Sequence, residues 1–152
     1  MPLDFERYAA KGNQFVNLVS ADLQVPQRKA GRIIRAVFHA LRNRLTHEES
    51  FHLLAQLPLA LKGVYVDGWR FDNGFNRISH LEDFLDEVRH EDGGLAVFDF
   101  GDNSKTQIAV ASVFKAMNYF ISEGEMNDII DVMPAALKMF IRESVAGDEA
   151  VF

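Results

Sequence analysis

The 152 residues contain no cysteine, which excludes disulfides, thiolate metal sites and thiol nucleophiles together. Proline is scarce, with four copies, and tryptophan occurs once. No apolar run approaches the roughly 18 residues of a membrane-spanning helix, so no membrane segment is expected. The opening MPLDFERYAAKGNQF lacks a basic stretch followed by an apolar one, so no signal peptide is expected and a cytoplasmic protein is the plain reading. What is present is ordinary for a globular chain: 48% hydrophobic, 25% charged, with thirteen Phe residues as core material. A chain of this length is expected to form one domain, or two small units sharing a core, able to bury roughly 70% of its unfolded surface.

The net charge of −6 conceals an asymmetry. Residues 1–76 hold 10 Lys/Arg against 7 Asp/Glu, whereas residues 77–152 hold 6 against 15. Such a contrast fits a basic binding surface, two halves attracting each other, or two chains packing head to tail.

Helical spacing dominates the chain. Phe5, Tyr8, Phe15, Val19 and Leu23 recur over residues 4–23, with Gly12-Asn13 weakening the middle. Pro26 suits a helix start, and Ile33, Ile34, Val37, Phe38 and Leu41 share one face over 27–44. Capping boxes are expected at Thr46–Glu49, Ser79–Glu82 and Ser122–Glu125, each opening a helix. Pro58 and Pro134 each divide one helix from the next. Asp102 or Asn103 caps a helix to about Phe120, and LAVFDF at 95–100 is expected to be loop.

Shifted by 76 residues, the chain matches itself without a gap. Lys29 meets Lys105, Val37 meets Val113, Phe38 meets Phe114 and Ala40 meets Ala116. Glu49 meets Glu125, while Pro58, Ala60, Leu61 and Lys62 meet Pro134, Ala136, Leu137 and Lys138. Matches in core and capping roles alike predict an internal duplication. The expected architecture is all-α, an orthogonal bundle of two pseudo-repeats of about four helices each, roughly eight in total. Within a single compact domain over 1–152, the first repeat spans 1–65, a connector 66–77, the second repeat 78–145 and a frayed tail 146–152.

LPLALKGVYVDGWR followed by ISHLEDFLDEVRH resembles the bacterial domain-of-unknown-function family 2267. The resemblance rests on Leu57, Pro58, Leu61, Lys62, Tyr65, Gly68 and Trp69, then Asp83, Phe84 and Leu85. ISEGEMNDIIDVMPAALKMFI is similar to the family's second helix pair, with Met133 where the family has Leu. Arg70-Phe71-Asp72-Asn73-Gly74 departs from the usual Pro- and Lys-rich connector. The resemblance implies a duplicated all-helical fold, no established activity and no catalytic residues to carry over.

Chemical motifs reduce to coincidence under scrutiny. His47 and His52 lie five apart, about 140° round a helix, whereas a zincin needs four. Glu49-x-x-His52 and Glu87-x-x-His90 have the spacing of a di-iron bundle, yet both are expected on polar faces, with Phe51, Leu54 and Ala55 inward. Asp83, Asp86, Glu87, Glu91 and Asp92 are expected on a solvated face. His39, the best-placed haem ligand, is expected to edge toward solvent beside Arg35 and Arg42. Asp99-Phe100-Gly101 lacks the other kinase elements. No cofactor is expected, and no convergent catalytic set is visible.

One surface feature remains. Arg28, Arg32, Arg35, His39 and Arg42 recur at spacings of 4, 3, 4 and 3, forming a stripe opposite the apolar face. It is a candidate site for an anion or an acidic partner, such as Asp83, Asp86 and Glu87 in this chain or another. Nucleic acid is not the expected partner, given the acidic balance and the missing recognition module. The aligned Ser104, Ile108, Ala111, Lys115 and Asn118 lack the stripe, and the helix over 103–120 is apolar nearly all round. Such a helix is either central or part of a dimer interface. The expected function is a non-catalytic interaction or scaffolding module whose partner is a second copy or an unknown acidic protein. The alternative is a small-ligand or anion-binding protein using a groove near Tyr65, Trp69 and Arg70.

Overall fold

Asp4 begins the helical fold by accepting the Arg7 N–H at 3.1 Å, which caps α1, Phe5–Leu23. In this computed structural model residues 2–70 and 78–146 are described; the remainder of the expected connector, 71–77, and of the tail, from 147 on, lies outside them. Gln24 closes α1 in the left-handed region at φ 54°, and Pro26 precedes α2, Gln27–Arg44. The capping box at Thr46 forms as expected: Glu49 N–H reaches the Thr46 hydroxyl at 3.1 Å, and Thr46 N–H reaches Glu49 Oε1 at 2.8 Å. It opens α3, His47–Leu54, and Pro58 then precedes α4, Leu59–Val66.

Two local expectations need correction. The cap of α5, Leu81–Asp92, falls at His80 rather than Ser79, because Asp83 accepts the His80 N–H at 3.2 Å. LAVFDF is helical rather than loop: a 3-10 turn over Gly93–Leu95 leads into α6, Ala96–Asp99. Phe100 N–H returns to the Ala96 carbonyl at 2.8 Å, and burial of Asp99 and Phe100 holds the turn against the core. Asp102 caps α7, Asn103–Phe120; the Ser122 hydroxyl accepts the Glu125 N–H to open α8, Glu123–Val132. Pro134 precedes α9, Ala135–Ala146.

The described residues form an all-α bundle of eight longer helices and the single-turn α6. Helices α5, α7, α8 and α9 begin at 81, 103, 123 and 135, each 76 residues after α1, α2, α3 and α4 begin at 5, 27, 47 and 59. The two 18-residue helices α2 and α7 supply the centre. α2 lies against α5, α1, α4 and α7, while α7 lies against α9, α1, α2 and α5. The apolar surround of α7 is therefore filled within one chain: Ala109, Val110, Val113, Phe114, Ala116 and Met117 are buried, and Ile108 and Tyr119 face out. Among the described residues no helix is long and apolar enough to cross a membrane.

Gly12 has a packing reason. A Cβ there would stand 3.0 Å from the Ala60 Cβ, so the glycine lets α1 approach α4. Gly31, in α2, has nothing within 4 Å of the same position. Gly12→Val should therefore lower stability by about 1–3 kcal/mol through overpacking. Gly31→Ala should raise it by about 0.5–1 kcal/mol through helix propensity. Denaturant unfolding of both variants measures the contrast.

Candidate functional site

The arginine stripe of α2 meets three different surroundings along its length. Arg32 holds Asp99 through two bonds, Nε to Oδ2 at 2.8 Å and Nη2 to Oδ1 at 2.9 Å, and the Asp99 side chain is wholly buried. This fork geometry ties α2 to α6. Arg35 Nη1 reaches Asp67 Oδ2 at 3.0 Å with both side chains exposed, a pair of small energetic weight. Arg42 donates from Nη1 to the carbonyls of Tyr65 at 2.9 Å and Asp67 at 2.7 Å. No ion-pair partner stands beside the exposed Arg28 among the described residues.

His39 is buried, not edged toward solvent, because the end of α4 lies over it. Its Nε2 is 2.8 Å from the Val64 carbonyl. A carbonyl only accepts, so Nε2 carries the hydrogen. The last carbonyls of a helix lack intrahelical donors and carry the negative end of its dipole. His39 and Arg42 thus supply, from α2, the C-terminal cap that α4 cannot make for itself. Burial lowers the pKa of both groups; the nearby Glu91 offsets part of this.

The end of α2 is fastened to α5. Asn43 Nδ2 reaches Glu87 Oε2 at 3.2 Å and Glu91 Oε2 at 3.0 Å, and Arg44 Nε reaches Glu87 Oε1 at 2.9 Å. Glu87 is therefore drawn in from the expected solvated face, its side chain only 13% exposed. The stripe does not dock on Asp83, Asp86 and Glu87 as a set: Asp83 caps α5, and Asp86 pairs with Arg89. The two Glu-x-x-His pairs are not brought together, since Glu49 and Glu87 are committed to these bonds and His52 and His90 are exposed. On α3, Phe51 and Ala55 face out and Ser50 and Leu53 face in, one position from the expected register.

Tyr65, Trp69 and Arg70 differ in their exposure. Tyr65 is fully buried, its hydroxyl 2.7 Å from Ser50 Oγ, and burial pushes its phenol well above the ordinary range. Trp69 packs edge-on against Tyr65, Phe51 and His47, and Arg70 is exposed. A cleft of about 330 Å³ opens between α1, α2 and α4. Val16, Ile34, Leu61 and Val64 make it apolar, Gly31 leaves it room, and Arg28, Arg32 and Arg35 form one wall. Sequence spacing found that wall, but not the cleft beside it.

The cleft and the α4 cap both lie within residues 12–140, the span matched by the family model described as "Uncharacterized conserved protein (DUF2267)". The chain belongs to this family. No curated protein matches it. In this DUF2267 chain the matched span runs from the middle of α1 into α9, covering every contact of the arginine stripe given above.

Removing the buried donor should be costly. Arg42→Met should lower unfolding stability by about 2–4 kcal/mol, because the Tyr65 and Asp67 carbonyls at the end of α4 lose a charged donor. Arg28→Ala should stay within about 0.5 kcal/mol of the parent. His39 adds a pH signature. Its folded pKa lies below the ordinary 6.5, so the unfolded chain takes the proton first. Its contribution is complete above about pH 6.5 and declines as pH falls from there. His39→Gln should flatten that acid-side loss in pH-dependent melting curves.

Proposed function

We infer that this chain is a non-catalytic interaction module that receives an acidic partner in the cleft between α1, α2 and α4. One observation carries the reading: an apolar floor runs beside a wall of three guanidiniums, and Arg28 on that wall has no acid opposite it among the described residues. An acidic segment presenting an apolar side chain would place that side chain against Val16, Ile34, Leu61 and Val64 and its carboxylates toward Arg28 and Arg35. The ionised groups elsewhere on α2 are committed to holding the bundle together, which leaves binding rather than chemistry as the use of this face. The helix starts recurring at an offset of 76 residues support a duplicated unit whose first copy was specialised for contact.

A second reading shares the cleft: a small amphiphilic anion is its ligand. The volume favours this, since about 330 Å³ falls at the low end of small-molecule sites.

An anionic apolar dye, anilinonaphthalene sulfonate, probes both readings. The folded protein should bind it saturably and less tightly as salt rises. Arg28→Glu with Arg35→Glu should weaken binding about tenfold, or 1.4 kcal/mol. Gly31→Phe, placed where the backbone leaves open space, should block it. Displacement of the dye by a Glu/Leu peptide but not by octanoate supports the protein partner, and the reverse supports the small anion. Dye binding that ignores both variants would overturn the site.

A further inference from the structure

Residues 94–100 form a short segment bracketed by Gly93 and Gly101, whose φ angles of 64° and 65° lie in the glycine-favoured region. The segment presents Leu95, Val97 and Phe98 to solvent, Val97 at 87% exposure. It is held from beneath by few groups. Phe100 inserts into the core, Lys29 Nζ reaches the Phe98 carbonyl at 3.1 Å and lies over its ring, and Arg32 forks onto Asp99.

Asp92, at the end of α5, completes this fastening in an unusual way. Its carboxyl lies within hydrogen-bonding reach of the Asp99 carboxyl. Its Oδ2 is buried, and no N–H or O–H donor reaches it among the described residues. Arg32 already spends two donors on Asp99. Two ionised carboxylates facing one guanidinium would repel, and a buried lone pair without a donor is costly. A proton on Asp92 relieves both problems by supplying the missing O–H.

We propose that Asp92 and Asp99 share one proton, and that this proton latches the 94–100 segment onto α2 and α5, its loss loosening the segment. The charges acting on the pair are Arg32 and Lys29 from α2 and the two carboxyls themselves. Nearby on α5, Arg89 is turned to Asp86 and to the Thr106 hydroxyl of α7, and Glu91 to Asn43.

Burial, then the bond to Asp99 and its charge, push Asp92 up to about 7, against the pull of Arg32. Burial would raise Asp99 too, but its bonds to Arg32 and Asp92 outweigh that and hold it below the ordinary carboxylate value. In an opened segment Asp92 returns toward its ordinary 3.8. The closed form thus binds the proton more tightly. Its advantage is complete below about pH 4 and is lost as pH climbs through about 7. His39 runs the other way, so whole-protein melting alone does not isolate the latch.

Two measurements do. The carboxyl carbon of Asp92 in the intact protein should titrate near neutrality by NMR; titration among ordinary carboxylates, below about pH 5, would overturn the proposal. Hydrogen exchange of the peptide spanning 94–101, corrected for intrinsic rates, should accelerate about tenfold or more between about pH 5.5 and pH 8.5, while α7 peptides stay protected. Asp92→Asn keeps a donor toward Asp99 without titrating, and its segment should stay protected at both pH values. An Asp92→Asn segment that loosens with pH as the parent does would sink the latch.

Discussion

The architecture turns on a constraint at α2: a central helix cannot carry guanidiniums into contact with neighbours unless each finds an acceptor. Buried arginine keeps its charge, so the packing must bring oxygens to it. α4 brings the orphan carbonyls of its last turn to Arg42 and His39, α6 brings Asp99 to Arg32, and α5 brings Glu87 and Glu91 to Asn43 and Arg44. A stripe that looks like a surface is, over much of its length, the joint between four helices. Apolar packing is non-directional. These bonds fix the angle and register at which α4, α5 and α6 sit on α2.

The counterpart α7 carries no guanidinium and meets its neighbours largely through apolar side chains. Where α2 has Arg32 and Arg35, α7 has Ile108 and Ala111, and its neighbours need present no acceptors there. The exception is instructive. Lys115, aligned with His39, pairs with Asp22 of α1 at 2.9 Å, so one half-buried charge still ties α7 to α1. The two central helices have the same length and start at the same offset, yet one is fastened by ions and the other by shape. The difference gives α2 a face with residual positive charge, at Arg28 and Arg35 beside the cleft, where α7 has Ser104 and Ala111.

Much of the fold was legible because its signals are local. Proline at 26, 58 and 134, the Thr46–Glu49 box and the Asp102 cap act within one turn of their own position, so helix starts could be placed from neighbours alone. The stripe of Arg28, Arg32, Arg35 and Arg42 was legible for the same reason, since helical spacing fixes which residues share a face. What failed is equally specific. The inward side of α3 differs from that expected because an eight-residue helix offers too few repeats to fix its phase, and Ser50 is drawn inward by Tyr65. The 95–100 segment gives no helical signal in sequence because one turn of helix has no period of its own; its shape comes from burial of Asp99 and Phe100.

By itself, then, the sequence determined the class of fold, the helix starts, the 76-residue recurrence and the existence of a basic stripe, all of which depend on neighbours within a few residues or on a repeated pattern. Only the tertiary structure decided how that stripe is used. Whether a guanidinium binds a ligand or closes a helix end depends on what arrives from 23 to 67 residues away, as Tyr65 does for Arg42 and Asp99 for Arg32. Gly12 reads as a weak point in α1 until Ala60 appears 3.0 Å from where its Cβ would be. Asp92 reads as one more surface acid until burial sets it against Asp99 with a single guanidinium between three helices. Charge is written in the sequence, but its partner and its solvent are assigned by packing.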